Sequence, residues 1–341
     1  MATVLKGSWR SCPPDIDVSA DELKQIIPLL LSSGAGGLAW WRVRQSDLRS
    51  PEIFKLQQAY RQHSIYSAIH EQRIQRVIGL LHSAGVVPLL VKGWAVARLY
   101  PEAGMRPYGD IDLCLHPHHH RAALAALKGT EFDNITVDLH VSSKKLDDCS
   151  LEELFERSNT VKFGDVEVRV LGLEDQLRIL SVHFLRHGAW RPLWLCDIAA
   201  AVESRPLGFD WDRCLGRNCR RAGWVACAIG LAHQLLGAKI DDTPAAERGK
   251  HLPTWLVPTV LREWGKQYRH RIHMELFVRQ PLNGLKELPH HWPNAIEATI
   301  NVRGPFNALP RLPFQIGDSF LRAARFLPQI LSASRKSQQL F

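Results

Sequence analysis

The hexapeptide Asp110-Ile111-Asp112-Leu113-Cys114-Leu115 constrains this chain more than any other stretch. Read as a strand, it sets both carboxylates on one face and Ile111, Leu113 and Leu115 on the other. The apolar face can enter a core while two like charges stand side by side at a rim. Such a pair repels, and the usual offset is a divalent cation, because carboxylate oxygens are hard ligands suited to Mg²⁺ or Mn²⁺. Two unrelated acids at a solvated strand end are the plain alternative. Upstream, residues 86–91 (VVPLLV) form a short apolar run flanked by glycines, as a buried central strand does. The run breaks at Lys92-Gly93, a helix-length segment covers 94–100, and Pro101, Gly104 and Pro107 force a loop that leads into Asp110. Downstream, residues 135–141 alternate in the same way, with Asp138 and His140 on the polar face. A neighbouring strand bearing a third carboxylate completes a site for two metals, which typically lie roughly 3.5–4 Å apart.

This order of strand, Gly93, helix, Asp-Ile-Asp strand and later Asp strand resembles the DNA polymerase β-like nucleotidyltransferase superfamily. More closely, KGWAVARLYP…RPYGDIDL followed by VDLH is similar to a branch of bacterial nucleotidyltransferases whose substrates are mostly undefined. The resemblance covers roughly residues 20–330, with its specific motifs within 92–140. It implies an α+β fold: a small mixed sheet of polymerase β-like type, with a helical N-terminal cap and a mostly helical C-terminal domain. It also implies metal-dependent transfer of a nucleoside monophosphate from a nucleoside triphosphate, ATP first, to an acceptor hydroxyl or phosphate. Asp110 and Asp112 would hold Mg²⁺ or Mn²⁺, and Asp138 would share the metal and activate the acceptor as ligand or general base. Gly93 would let the backbone approach the phosphates, and the helix from Trp94 would aim its amides at them. The superfamily usually has Gly-Ser at this point, with the Ser on phosphate. Here the pair is Gly93-Trp94, and Lys92 and Arg106 are the candidates for the remaining phosphate charge, Arg106 by a bidentate grip. His140 would orient Asp138 or touch substrate. The other reading is an inactive nucleotidyltransferase fold that binds a nucleotide or a partner.

Three functional parts are expected: a helical cap at 1–84, a catalytic core at 85–172 and a helical acceptor domain at 173–341. Residues 1–18 read as an irregular lead-in. Ser19 is placed to cap a helix carrying Ile26, Leu29 and Leu30 that ends in SSGAGG, and a longer helix runs from Ser50-Pro51-Glu52 to Ser83. Its apolar stripe includes Ile53, Leu56, Tyr60, Ile65, Ile69, Ile74, Val77 and Leu81. A short helix follows the histidines at 116 and 118–120, which read as solvated. Residues 160–163 and 166–170 read as a hairpin turning at Gly164-Asp165. The helix over 174–187 places His183 and His187 on one face without the Glu of a zinc-protease motif. With Trp190, Arg191, Trp194 and Asp197 they resemble the branch's usual helical segment. His183, His187 and Asp197 then either line the acceptor side of the cleft or form a structural pair of helices. Further helices are expected at 211–221, 223–236, 254–268 and 316–331.

The net charge of +9 favours anionic partners, nucleotides included. No helix-turn-helix, zinc finger or aromatic-basic motif is present, so nucleic acid ranks last among them. Seven cysteines without a C-x-x-C pair point to reduced thiols. With no signal pattern and no apolar stretch of spanning length, a cytoplasmic protein is expected.

Overall fold

The computed structural model of the 341-residue chain describes residues 1–132, 137–141, 149–266 and 292–324. Ile135-Thr136 of the third expected strand and the ends of the helices expected over 254–268 and 316–331 lie outside the described residues. The chain divides into two compact units, one of residues 1–184 with 191–252 and one of 185–190 with 253–341.

In the first unit the order is α1 (Ala2–Leu5), α2 (Ala20–Ser32), α3 (Gly36–Val43), α4 (Ile53–Ser83), β1 (Leu89–Leu90), α5 (Trp94–Ala97) and β2 (Ile111–Cys114). A 3₁₀ turn over Pro117–His119 leads to α6 (His120–Leu127), β3 (Val137–His140), α7 (Leu151–Glu156), β4 (Asn159–Phe163) and β5 (Val166–Val170). The helices α8 (Leu173–Arg186), α9 (Pro192–Glu203), α10 (Trp211–Leu215), α11 (Cys219–Leu236) and α12 (Ala246–Lys250) follow. The protein is thus a mixed α/β chain around one five-stranded sheet of order β3-β2-β1-β5-β4. β1 runs antiparallel to β2 and parallel to β5, β2 runs parallel to β3, and β4–β5 is the expected antiparallel hairpin at the edge. Gly164 turns that hairpin at φ +58°.

The alternation of β2 decides which way the sheet faces. Ile111, Leu113 and Leu115 are fully buried in the main core with Ile74, Val77, Ile78 and Leu81 of α4 and Leu127 of α6. Each such side chain contributes about 1.5–3 kcal/mol relative to an exposed one. The opposite face is also covered: Leu89 and Cys114 pack with Leu154, Phe155, Leu171 and Ile179. Asp112 therefore lies on a strand buried on both faces, a more enclosed place than the open rim that alternation alone suggests.

Helix α2 starts as expected, with a capping box in which Ser19 and Glu22 satisfy each other's amides, though its buried residues are Leu23, Ile27 and Leu30. The lead-in is not irregular throughout: α1 buries Val4 and Leu5, and Arg10 and Trp9 both bond Glu203 of α9. Within the Gly-rich SSGAGG a further helix, α3, begins where no helix was expected. Its Gly37 lies so close to the Gly104 carbonyl that any Cβ there would collide with it. The long helix α4 is present, but its central stripe is turned. Ile65 and Ile69 are exposed while Ser67 and His70 are buried, because this stretch faces the polar loop before β2. Ser67 Oγ donates to the Ala103 carbonyl, and the His70 ring meets Tyr108 edge-on at 5.3 Å. The expected helix over 211–221 breaks at Gly216, and Asn218 caps the next one.

In the second unit, α13 (Leu256–Trp264), α14 (Ala295–Asn301) and a helix over 312–324 are described. Trp264 Nε1 donates to the Ala189 carbonyl, and Asn294, which caps α14, donates to that of Gly188. Residues 185–190 are tied into this unit in that way.

Candidate active site

The site begins at the end of β1. Val91 N–H donates to the Asp112 carbonyl and carries the β1–β2 ladder one residue further, so Lys92 emerges beside Asp112. Its Nζ donates to Asp112 Oδ1 at 2.5 Å. The parallel register of β2 and β3 sets Asp112 opposite Asp138 and Cys114 opposite His140. Period-two alternation then puts Asp138 and His140 on the same face of β3. His140 Nε2 lies 3.2 Å from the same Asp112 Oδ1, and one ligand atom from each of Asp112, Asp138 and His140 lies within 4.8 Å of the others. Asp112 is only 6% exposed, whereas Asp138 and His140 open to solvent. Burial pushes the Asp112 carboxyl up, but the His140 hydrogen bond and the Lys92 charge outweigh it and bring the pKa down to about 2. The carboxylate is held ionised under all ordinary conditions.

The donor chemistry of this group fits a divalent cation. Two carboxylates and an imidazole converge within the reach of one ion, and the buried carboxylate is paired with the part-exposed Lys92 ammonium. Asp110 is exposed immediately before β2 and does not belong to the group.

Gly93 follows Lys92 at φ +58° and ψ −115°, a conformation open essentially to glycine alone. A Cβ there would stand 3.2 Å from the Asp110 carbonyl oxygen. The helix after it is a single turn, α5, and not the longer segment expected over 94–100. The Trp94 ring packs on Phe163 at 4.0 Å and joins the main core, so it fills space under the turn.

Arg106 makes a bidentate grip, but on a protein carboxylate. Nε and Nη2 donate to Asp197 Oδ1 and Oδ2 at 3.1 and 2.9 Å, and Tyr100 OH donates to Oδ1 at 2.8 Å. Its Nη1 reaches the carbonyls of Gly93 and Pro107 at 3.4 Å. Burial pulls the Arg106 pKa down and the Asp197 charge more than restores it, while burial followed by Asp197 pushes Tyr100 well above the ordinary tyrosine range. Asp197 has no exposed surface, which corrects the expectation that it lines the acceptor side of the cleft. His183 meets Trp194 edge-on at 4.4 Å, and His187 is exposed and falls in the second unit.

The structure thus brings Lys92, Asp112, Asp138 and His140 together and sets Arg106 and Asp197 in a separate buried pair. Sequence reasoning missed Tyr100 as a partner of that pair. Its one signal is its place just before the loop that carries Arg106.

All seven cysteines are free, and no helix among the described residues is long and apolar enough to cross a membrane. No curated protein and no solved structure matches the chain. A sequence family described as "uncharacterised nucleotidyltransferase" matches residues 19–237, more than half of the chain, and that span contains every residue of the Lys92–Asp112–Asp138–His140 cluster. The chain belongs to this uncharacterised nucleotidyltransferase family.

Proposed function

We propose that this chain is a metal-dependent enzyme with a polymerase β-like core that transfers a nucleoside monophosphate from a nucleoside triphosphate, ATP first, to a hydroxyl or phosphate of its acceptor. The acceptor is a small molecule, a sugar, a peptide or a protein. The observation that carries the reading is the pairing of Asp112 with Asp138 across two parallel strands, with Lys92 on the same carboxylate.

A bound divalent cation, Mg²⁺ or Mn²⁺, supplies neutralisation of the triphosphate and of charge developing on the leaving pyrophosphate. Asp112 and Asp138 would hold it, with exposed Asp110, just before β2, as a further carboxylate. Asp138 also takes the acceptor's proton, being the solvent-facing carboxylate of the pair. The acceptor oxygen bonds to the α-phosphorus, the bond to the bridging oxygen breaks, and pyrophosphate leaves with the electron pair. Lys92, a compact charge on a flexible stem, turns from Asp112 to the triphosphate. Gly93 keeps the turn free of a Cβ where the phosphates pass. Arg106 supports that turn through the Gly93 carbonyl and leaves the phosphate charge to Lys92. Residues 1–84 serve as cap, 85–172 as catalytic core and 173–341 as the acceptor-selecting part, with His183 as a candidate contact.

One observation favours a second reading, a fold that binds nucleotide or a partner without turnover: Trp94 replaces the usual phosphate-contacting Ser and is spent on Phe163. Calorimetry with the four ribonucleoside triphosphates, with and without Mg²⁺, on wild type and Asp112→Asn, together with release of pyrophosphate, separates the two. Metal-dependent binding that Asp112→Asn abolishes, with pyrophosphate released, supports transfer. Binding without release at any acceptor supports the scaffold, and no binding by wild type removes both.

A further inference from the structure

The donor set of the site differs from that of an all-carboxylate centre, and the inference drawn from it rests on the transferase reading above. We propose that His140 is a direct ligand of the site's divalent cation, making a two-carboxylate, one-imidazole centre that takes Mn²⁺ in preference to Mg²⁺.

Three observations carry this. The parallel register of β2 and β3 places Asp138 beside Asp112, and His140 follows two residues later on the same face. The ligand atoms of the three side chains lie within 4.8 Å of one another. Donors on opposite sides of one ion are about 4–4.4 Å apart when each bond is about 2.0–2.2 Å, so one ion gathers all three with small side-chain movements. His140 Nε2 already points at the Asp112 oxygen that would bind the ion, at 3.2 Å. The third observation is that Asp112 is nearly buried while Lys92 and His140, both on its one oxygen, are part-exposed, so an arriving ion can displace the lysine at the point where the ligands converge. Asp110, the carboxylate that would make the set all-oxygen, lies outside the group.

The identity of the ion follows from the donors. Mg²⁺ demands oxygen ligands in a near-ideal octahedron and parts with its waters reluctantly. An imidazole nitrogen is a poor ligand for it and a good one for first-row transition ions, of which Mn²⁺ also keeps the taste for carboxylate that Asp112 and Asp138 satisfy. A hydrogen bond from His140 that merely steadies Asp112 would place no nitrogen on the ion, and the two roles are separable by experiment.

The test is Mn²⁺ binding to the full chain, without nucleotide, by electron paramagnetic resonance of free and bound ion, with Mg²⁺ as competitor. The variants are His140→Ala, His140→Asp and Asp112→Asn. The His140 side chain is 45% exposed, so its replacements are expected to fold, and circular dichroism checks that they do. Wild type is expected to hold Mn²⁺ at least about tenfold tighter than Mg²⁺, with ¹⁴N coupling to the bound ion in pulsed spectra. In His140→Ala the coupling disappears and Mn²⁺ affinity falls at least about tenfold, while Mg²⁺ affinity changes by less than about threefold. In His140→Asp the Mn²⁺ preference narrows, because the set becomes all-oxygen. Bound Mn²⁺ with no nitrogen coupling in wild type, or coupling that survives in His140→Ala, overturns this inference and leaves the transferase reading standing. Absence of any divalent binding, with or without a nucleoside triphosphate, overturns both.

Discussion

Two ionic clusters of the first unit share the same ingredients and have opposite characters. Around Asp112 stand Lys92 and His140, and around Asp197 stand Arg106 and Tyr100. In the second cluster both charges are sealed: Asp197 is fully buried, Arg106 has 9% of its side chain exposed, and the guanidinium meets both carboxylate oxygens. In the first, only the carboxylate is buried. Its lysine is 24% exposed and its histidine 45%, and one oxygen carries both contacts. A sealed bidentate pair has no cheaper partner to exchange for, since parting it leaves an unpaired charge in a dry interior. The half-open pair can trade Lys92 for another cation at little cost, because the ammonium moves directly into water or onto an anion. The difference suits the sealed cluster to holding the fold and the half-open one to the cation exchange proposed above.

The sharpest break of the comparison is Asp197→Ala. It leaves Arg106 buried without its partner and Tyr100 OH without its acceptor, and it is expected to cost about 3–5 kcal/mol of stability. Urea unfolding followed by tryptophan fluorescence reads the loss. A cost below about 1 kcal/mol would mean that the pair is not the sealed element described, and would return Arg106 to the list of phosphate contacts.

Lys92→Met probes the other cluster and is expected to act on binding more than on folding. The variant removes the cation that competes for Asp112, so divalent ions bind more tightly. Nucleoside triphosphate affinity in the presence of metal falls by about 1.5–3 kcal/mol, the usual worth of a charge-assisted hydrogen bond. Paired titrations of metal and nucleotide on wild type and variant measure both. Changes of the same sign in the two affinities would contradict an ammonium that passes from carboxylate to phosphate.

Much of this contrast was hidden in the sequence, and the reasons are local. The approach of Asp138 to Asp112 was legible because period-two alternation fixes which side chains share a face, but the expected metal group held Asp110, which lies outside the cluster, and gave His140 only an orienting or substrate role. The Ser19–Glu22 capping box and the Gly164 hairpin were legible for the same reason: their partners lie within a few residues. Arg106 and Asp197 are 91 residues apart, and nothing in either neighbourhood marks the pairing. The guanidinium that looked like a phosphate clamp is committed to the interior. The turned centre of α4 was hidden too, since Ser67 and His70 are buried by a polar loop and not by apolar contacts that a hydrophobic stripe would reveal. Helix α3 opens on two glycines, poor helix formers, and forms because Gly37 lets the chain close on Gly104.

The smallest expected effect, and the one that isolates the Asp112 cluster, is its pH dependence. The Asp112 carboxyl has a folded-state pKa of about 2, below the value of about 3.9 for an unfolded aspartate. The unfolded chain therefore binds the proton first as pH falls. The stability that Asp112 contributes is complete above about pH 4 and is lost between there and about pH 2, as the folded carboxylate protonates and releases Lys92 and His140. With its two partners partly in water, the contribution is about 1–2 kcal/mol. Asp112→Asn cannot titrate, so the difference in unfolding free energy between wild type and variant should shrink over this range and stay flat from pH 5 to 7. A difference that instead grows on acidification would mean that the folded carboxyl titrates above the unfolded one, with burial outweighing Lys92 and His140. Asp112 would then be the sealed group, and the contrast with Asp197 would reverse.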